Sequence, residues 1–181
     1  MSLSRTTIMS AIVLCLFSIP KSAFAEDWDA FRDTLQGNWR GEGLVREGPE
    51  GTMEAGVCRV DVSNANGSEA LIFKGRCANA NRSARFRTEF NQTDGAGAVK
   101  AISETRMFPD GVTLVGQRSE RSIALSSAEP VSHKERPWIV GIAVRFQPDG
   151  DGFSLVQTIR DPSGGSEKPM LEMNFQRRPA R

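Results

Sequence analysis

The chain has 181 residues, with 23 Lys and Arg against 22 Asp and Glu for a formal net charge of +1. Charges of both signs are interleaved along it, so nothing favours nucleic acid or an anionic membrane surface as a partner. With one His, no Tyr and three Cys, there is little inventory for nucleophile–base pairs, and no enzyme is expected.

The first 25 residues read as a secretory signal peptide. Arg5 supplies the positive start, residues 8–19 are almost wholly apolar, Pro20 breaks the run, and Ala23-Phe24-Ala25 offers small residues at the two positions a signal peptidase reads. The apolar run is short for a membrane span. Leu14 stands before Cys15, where a lipoprotein signal needs a small residue. Cleavage is expected after Ala25, giving a periplasmic or secreted protein that does not span a membrane. Taking 25 from 181 leaves 156 residues, 26–181, the size of one domain. Without Arg5 and Lys21 the mature chain has 21 basic and 22 acidic residues, a net charge of −1. An outer-membrane barrel is disfavoured: there is no Tyr for aromatic girdles, and the chain ends in Pro179-Ala180-Arg181.

Along the mature chain, Trp28, Phe31 and Leu35 recur at helical spacing, which predicts a short amphipathic helix over 27–35. Its apolar face suits a lid over its own domain; a docking or inhibitory arm is the alternative. Gly37-Asn38-Trp39-Arg40-Gly41-Glu42-Gly43 then reads as a strand whose glycines permit sharp bending. Cys58, Val60 and Val62 alternate with polar residues, Asn66-Gly67 is a hairpin turn signal, and Leu71, Phe73 and Cys77 share a face on the return. A turn at Asn66-Gly67 sets Cys58 opposite Gly75, whereas one at Gly67-Ser68 sets it opposite Cys77. Both registers leave the two cysteines on the apolar face. In an exported domain they read as one disulfide, since neither has a nearby His or a Cys-x-x-Cys spacing for metal.

Further alternating runs follow. They contain Ala84, Phe86, Thr88 and Phe90; then Val99, Ala101, Ser103, Thr105 and Met107; then residues 112–117, with an undecided continuation to Leu125. Residues 126–136 read as a polar loop holding the sole histidine, His133, as a solvated side chain. Trp138, Val140, Ile142, Val144 and Phe146 form the most apolar face. Pro148-Asp149-Gly150-Asp151-Gly152 reads as a plain turn, lacking the later acidic ligand of a calcium loop. Phe153, Leu155, Gln157 and Ile159 precede a Ser163-Gly164-Gly165-Ser166 turn and a last strand with Leu171, Met173, Phe175 and Arg177. Nine such strands and no helix long enough for βαβ units predict an all-β fold. The expected form is a single antiparallel up-and-down barrel of about 8–10 strands with a short N-terminal helix.

Gly37-Asn38-Trp39, together with Arg177 or Arg178 at the far end, resembles the calycin superfamily of lipocalins, fatty-acid-binding proteins and their relatives. The resemblance implies that a C-terminal Arg packs across the first-strand Trp and closes the barrel. Arg177, on the apolar face of its strand, is the choice for Trp39. Trp39-Arg40-Gly41-Glu42-Gly43 also resembles the first strand of nitrobindin-type haem barrels. Those ligate haem through a His near the C-terminal strand, where this chain has Asn174 and Gln176, so no cofactor is expected. Exported inhibitors of secreted metalloproteases, small one-disulfide barrels with an inserting N-terminal arm, are a further resemblance; the acidic, helix-like start here departs from it.

If Trp39, Phe73, Phe86, Val140 and Ile142 face inward, then Thr88, Ser103, Thr105 and Gln157 place polar groups among them, the composition of a small-ligand cavity. Two functions follow from different fillings. A hollow barrel would bind a small apolar ligand through these residues. A filled one would be a protein–protein module of the cell envelope, such as an inhibitor or chaperone. Catalytic and metal-ligating residues are not expected.

Overall fold

A computed structural model describes residues 28–65, 69–93 and 97–179. The signal sequence and its cleavage point lie outside the described residues. So do Asn66, Gly67 and Ser68 of the first hairpin turn.

The helix α1 (Trp28–Leu35) leads into eleven strands: β1 (Gly37–Arg46), β2 (Met53–Asn64), β3 (Leu71–Ala78), β4 (Ser83–Gln92), β5 (Ala98–Glu104), β6 (Val112–Ser119), β7 (Ser122–Ser127), β8 (Val131–His133), β9 (Arg136–Phe146), β10 (Gly152–Arg160) and β11 (Lys168–Arg177). Each pairs antiparallel with its neighbours in the order β10-β11-β1-β2-β3-β4-β5-β6-β7-β9, and β10 pairs back onto β9. The result is a closed ten-strand barrel, with β8 outside it and paired only to the start of β9. Closure leaves no barrel strand with an unpaired edge. Among the described residues, no helix is long and apolar enough to cross a membrane.

The alternating faces behave as the period of two requires. Cys58, Val60 and Val62 of β2 are buried between partly or fully exposed neighbours, as are Val99, Ala101 and Ser103 of β5 and Trp138, Val140, Ile142 and Val144 of β9. In β1 the inward positions include glycines because the neighbours leave no room. A Cβ on Gly41 would sit 2.5 Å from the Phe175 ring, and one on Gly43 would sit 2.0 Å from the Glu172 carbonyl oxygen. The β2–β3 register is the one that sets Cys58 opposite Cys77, and the two are joined by a disulfide.

Three stretches depart from the pattern read in the sequence. The undecided run 112–125 is two strands, folded back at Glu120-Arg121 so that Ser119 pairs with Ser122. That turn contains no Gly, Asn or Pro to announce it. The polar loop 126–136 contains β8. It turns into β9 through Lys134 and Glu135, both with positive φ (50° and 62°), the two-residue hairpin geometry more often given to Asn-Gly. Finally, β5 stops at Glu104 rather than running through Met107. The Thr105 N–H donates to the Phe108 carbonyl at 3.1 Å, and the Thr105 hydroxyl accepts from the Phe108 N–H at 3.2 Å. The chain therefore bends one residue after the strand.

In an antiparallel barrel successive connections alternate between the two ends. The β2–β3, β4–β5, β6–β7 and β9–β10 connections share an end with α1. The β1–β2, β3–β4, β5–β6 and β10–β11 connections, and the β7–β9 connection that carries β8, form the other.

Candidate functional site: a cavity at one end of the barrel

The two ends are built differently. At the α1 end, Phe153 is the hub of an aromatic cluster: it stacks on Phe175 at 4.5 Å and meets Trp39 at 5.0 Å and Phe73 at 5.6 Å between ring centroids. Trp28, Phe31 and Leu35 bury the apolar face of α1 over this cluster. Phe31 meets Phe146 edge-on, and the Arg118 guanidinium lies over Phe31 at 4.9 Å. The Trp28 indole N–H donates to the Glu69 carbonyl at 2.7 Å. The helix is thus packed onto its own barrel.

Arg177 and Trp39 fasten this end. They are cross-strand partners between β11 and β1, and the guanidinium lies 4.3 Å above the indole. From there, Arg177 donates through Nη1 to the Gln36 carbonyl at 2.5 Å and through Nη2 to the Thr34 carbonyl at 2.6 Å. The Trp39 indole N–H donates to the Leu35 carbonyl at 2.9 Å. A helix ends with carbonyls that have no intrahelical donor, and these two side chains supply donors to three successive ones. Gly37, with φ of 129°, turns the chain from helix to strand; a Cβ there would meet Arg177 Nη1 at 2.9 Å.

The opposite end is hollow. A cavity of about 580 Å³ opens between the strands at the end away from α1, within the ~300–1,000 Å³ range of small-molecule sites. Its apolar wall includes Phe73, Phe86, Phe90, Phe175, Ile142, Leu155 and Ile159. Inside it, the hydroxyls of Thr88 and Ser103 lie 3.0 Å apart on residues directly paired between β4 and β5. Both residues are almost fully buried. One hydroxyl donates and the other accepts, and both keep further acceptor capacity. Thr105 and Gln157 add two more polar side chains to the wall.

Of the eight interior residues named from sequence, the cavity wall contains Phe73, Phe86, Thr88, Ser103, Thr105, Ile142 and Gln157. Val140 is not in the wall. It is buried in the core near the start of β9, and its backbone N–H donates to the Ser127 hydroxyl at 3.1 Å. Cys77 of the disulfide borders the cavity, whereas Cys58 is wholly buried.

His133 is not a solvated loop residue. It ends β8, half-buried, with Nδ1 at 3.2 Å from the Met107 carbonyl and its ring edge against Phe108, and it borders the cavity. Residues 148–152 make the turn expected of them, with the Asp149 carboxylate accepting from the Asp151 N–H. The titration of Asp161, in the β10–β11 connection, is displaced. The Ser163 hydroxyl and N–H both donate to its carboxylate, and Arg136 adds charge attraction, so its pKa is held below the usual value.

Sequence reasoning missed the rim. Arg46, Arg82, Arg85, Arg106 and Lys134 border the mouth of the cavity. Alternation points Arg85 outward, along with Arg87, and the others come from strand ends and turns. No periodic signal marks them, because only the curvature of the barrel brings them round one opening. Phe90 and Ile159, by contrast, were within reach of the same alternation that found Phe86 and Gln157.

Compared with known proteins, the chain matches no family model and no curated sequence.

Proposed function

We propose that this protein is an exported, calycin-like carrier that holds a small, largely apolar ligand in the open end of its barrel and does no chemistry on it. The observation that carries the reading is the cavity: aromatic and aliphatic walls around a few buried polar groups, the composition by which small-molecule sites bind and orient a ligand. The closed ten-strand barrel with a short N-terminal helix is consistent with the calycin architecture, and the Trp39–Arg177 pair stands where the resemblance puts it. Export is supported by the signal-like first 25 residues and by a disulfide, which persists in oxidising compartments. The filled-barrel alternative, an envelope interaction module, is less favoured because the aromatic packing stops halfway along the barrel.

The test is titration with N-phenyl-1-naphthylamine, a neutral fluorophore that brightens in apolar surroundings. Saturable one-site binding is expected, and Gln157→Trp, which fills the cavity from a half-buried position, should abolish it while leaving the circular dichroism unchanged. Native mass spectrometry of protein taken from its own cell envelope is the complement. The expected species begins at Glu26, is two hydrogens lighter than the reduced chain, and retains a small molecule. Absence of probe binding to a folded wild type would refute the carrier reading.

A further inference from the structure

We propose that the outer face of β1–β4 binds a linear, densely charged anionic polysaccharide along a row of four arginines. The register sets Arg40 opposite Arg59, Arg59 opposite Arg76, and Arg76 opposite Arg85, one guanidinium side chain on each of four neighbouring strands. All four residues are exposed. At the ~4.8 Å spacing of paired strands the row is about 14 Å long. It stands on the outward positions of its strands, so the inference is independent of the carrier reading.

Like charges directly opposite one another destabilise a sheet, and the adjoining rows avoid them or balance them. Toward the α1 end, Asp61, Lys74, Arg87 and Glu104 follow one another across β2–β5, so each cation there has an acid beside it. Toward the other end, Glu42, Val57, Ala78 and Ser83 include no cation. Within the arginine row, Arg40 pairs with Glu42 at 2.9 Å and Arg76 donates to the Ser83 hydroxyl at 2.6 Å. Arg59 and Arg85 have no ion pair or side-chain hydrogen bond among the described residues. The chain's charges nearly balance overall, so any pull on an anion comes from this local arrangement.

The shape of the row selects the partner. It runs in the strand-pairing direction around a closed ten-strand barrel and covers three of the ten strand-to-strand steps, roughly a third of the circumference. A planar membrane touches so convex a surface along a line and leaves the outer arginines turned away, whereas a flexible chain follows the curve. Single-stranded nucleic acid is held by aromatic side chains that stack on its bases, and no outward residue of this row or its two neighbours is aromatic. An acidic peptide would gain most from an unpaired strand edge, which these four strands lack. A hydrophilic chain with recurring sulfate or carboxylate groups needs only the guanidinium groups, each offering paired N–H donors to an oxyanion.

Fluorescence anisotropy of fluorescein-labelled dextran sulfate, with neutral dextran as the control, tests this. Dextran sulfate alone is expected to bind, and its Kd should rise about tenfold between about 0.02 and 0.15 M salt. Arg59→Gln/Arg76→Gln should weaken binding about tenfold. Arg145→Gln/Arg160→Gln, which removes two exposed cations from β9 and β10, should change it less than about twofold. Relief of repulsion should leave the denaturation midpoint of the row variant unchanged or raised, which separates loss of binding from loss of fold.

No binding of dextran sulfate at low salt, equal weakening in the two double variants, or a row variant whose midpoint falls along with its binding overturns the proposal. Tighter binding of oligothymidylate or polyglutamate at equal anion concentration reassigns the row to nucleic acid or acidic protein and overturns it as well. Flotation with phosphatidylglycerol vesicles that only the row variant loses does the same in favour of a membrane. The carrier reading is judged separately, by neutral-probe binding in the cavity.

Discussion

The two ends of this barrel are made from the same ten strands and end in opposite states. At the α1 end, inward positions carry Trp39 and Phe153, with Phe73, Phe90 and Phe175 lying between them and the cavity they also line, all at most 1% exposed, and α1 covers what the rings leave. At the other end, inward positions carry Ala84, Phe86, Thr88, Ser103, Thr105 and Gln157, and among the described residues no helix crosses the opening. A barrel of this size encloses more space than average side chains fill, so its content is set by which residues stand at the inward positions. Large rings plus a helical plug make a core; small and polar residues leave a chamber. Stability and function are thereby separated along one axis, and each can be perturbed without the other.

The largest effect should come from breaking the filled end. Trp39→Ala removes a fully buried ring together with its donor to Leu35, and a loss of about 3–5 kcal/mol is expected from urea denaturation. Phe86→Ala, in a wall that already faces open space, should cost no more than about 1–2 kcal/mol, because little new void is created. It should instead weaken probe binding. If both changes destabilise equally, the contrast between the ends is wrong.

The disulfide lies between these regimes. Reduction, or Cys58→Ser with Cys77→Ser, releases a closed loop with a sequence separation of 19, and about 3 kcal/mol should be lost in the chain-entropy account. Because Cys77 borders the cavity, probe affinity should fall along with the denaturation midpoint.

Next comes the clasp. Arg177→Met removes two charge-assisted donors from helix carbonyls and the stacking on Trp39, and should cost about 1–3 kcal/mol. Hydrogen exchange would locate the loosening in α1, with cavity binding unaltered.

The hydroxyl pair sharpens the comparison from the hollow side. Thr88→Val leaves the Ser103 hydroxyl buried and alone, at about 1–3 kcal/mol, whereas Thr88→Val with Ser103→Ala should be nearly neutral, as a double-mutant cycle would read. The smallest effect is electrostatic and local. The Asp161 carboxyl should titrate below the ordinary Asp range by NMR, and Ser163→Ala should bring it back toward that range. Since the folded pKa is depressed, the order it gives the β10–β11 connection is present above the unfolded pKa. That order is lost as pH falls through the folded one.

Much of this protein was determined by local sequence. Alternation at Cys58, Val60 and Val62, or at Val140, Ile142 and Val144, fixes which face is buried, because a one-residue slip would turn the whole apolar set to solvent. Both candidate hairpin registers preserved that parity, which is why the disulfide was legible before the turn was. The helix over 28–35 was legible for the same reason, as its three apolar residues recur at 3.6-residue spacing.

What stayed hidden depends on curvature and on long-range meetings. The Glu120-Arg121 and Lys134-Glu135 turns carry no residue type specific to a turn, so strand pairing rather than local preference imposes them. Val140 shares the parity of Ile142 yet lies outside the cavity wall, because alternation tells inside from outside but not which inward side chains border open space. Nor does any pattern in the sequence gather Arg46, Arg85, Arg106 and Lys134, which are separated by up to 88 positions (46 to 134). The sequence alone settled which residues point inward, since that follows from the two-residue period of a strand. Closure of the sheet decided where along the axis they stop filling it, and which charges surround the opening that remains.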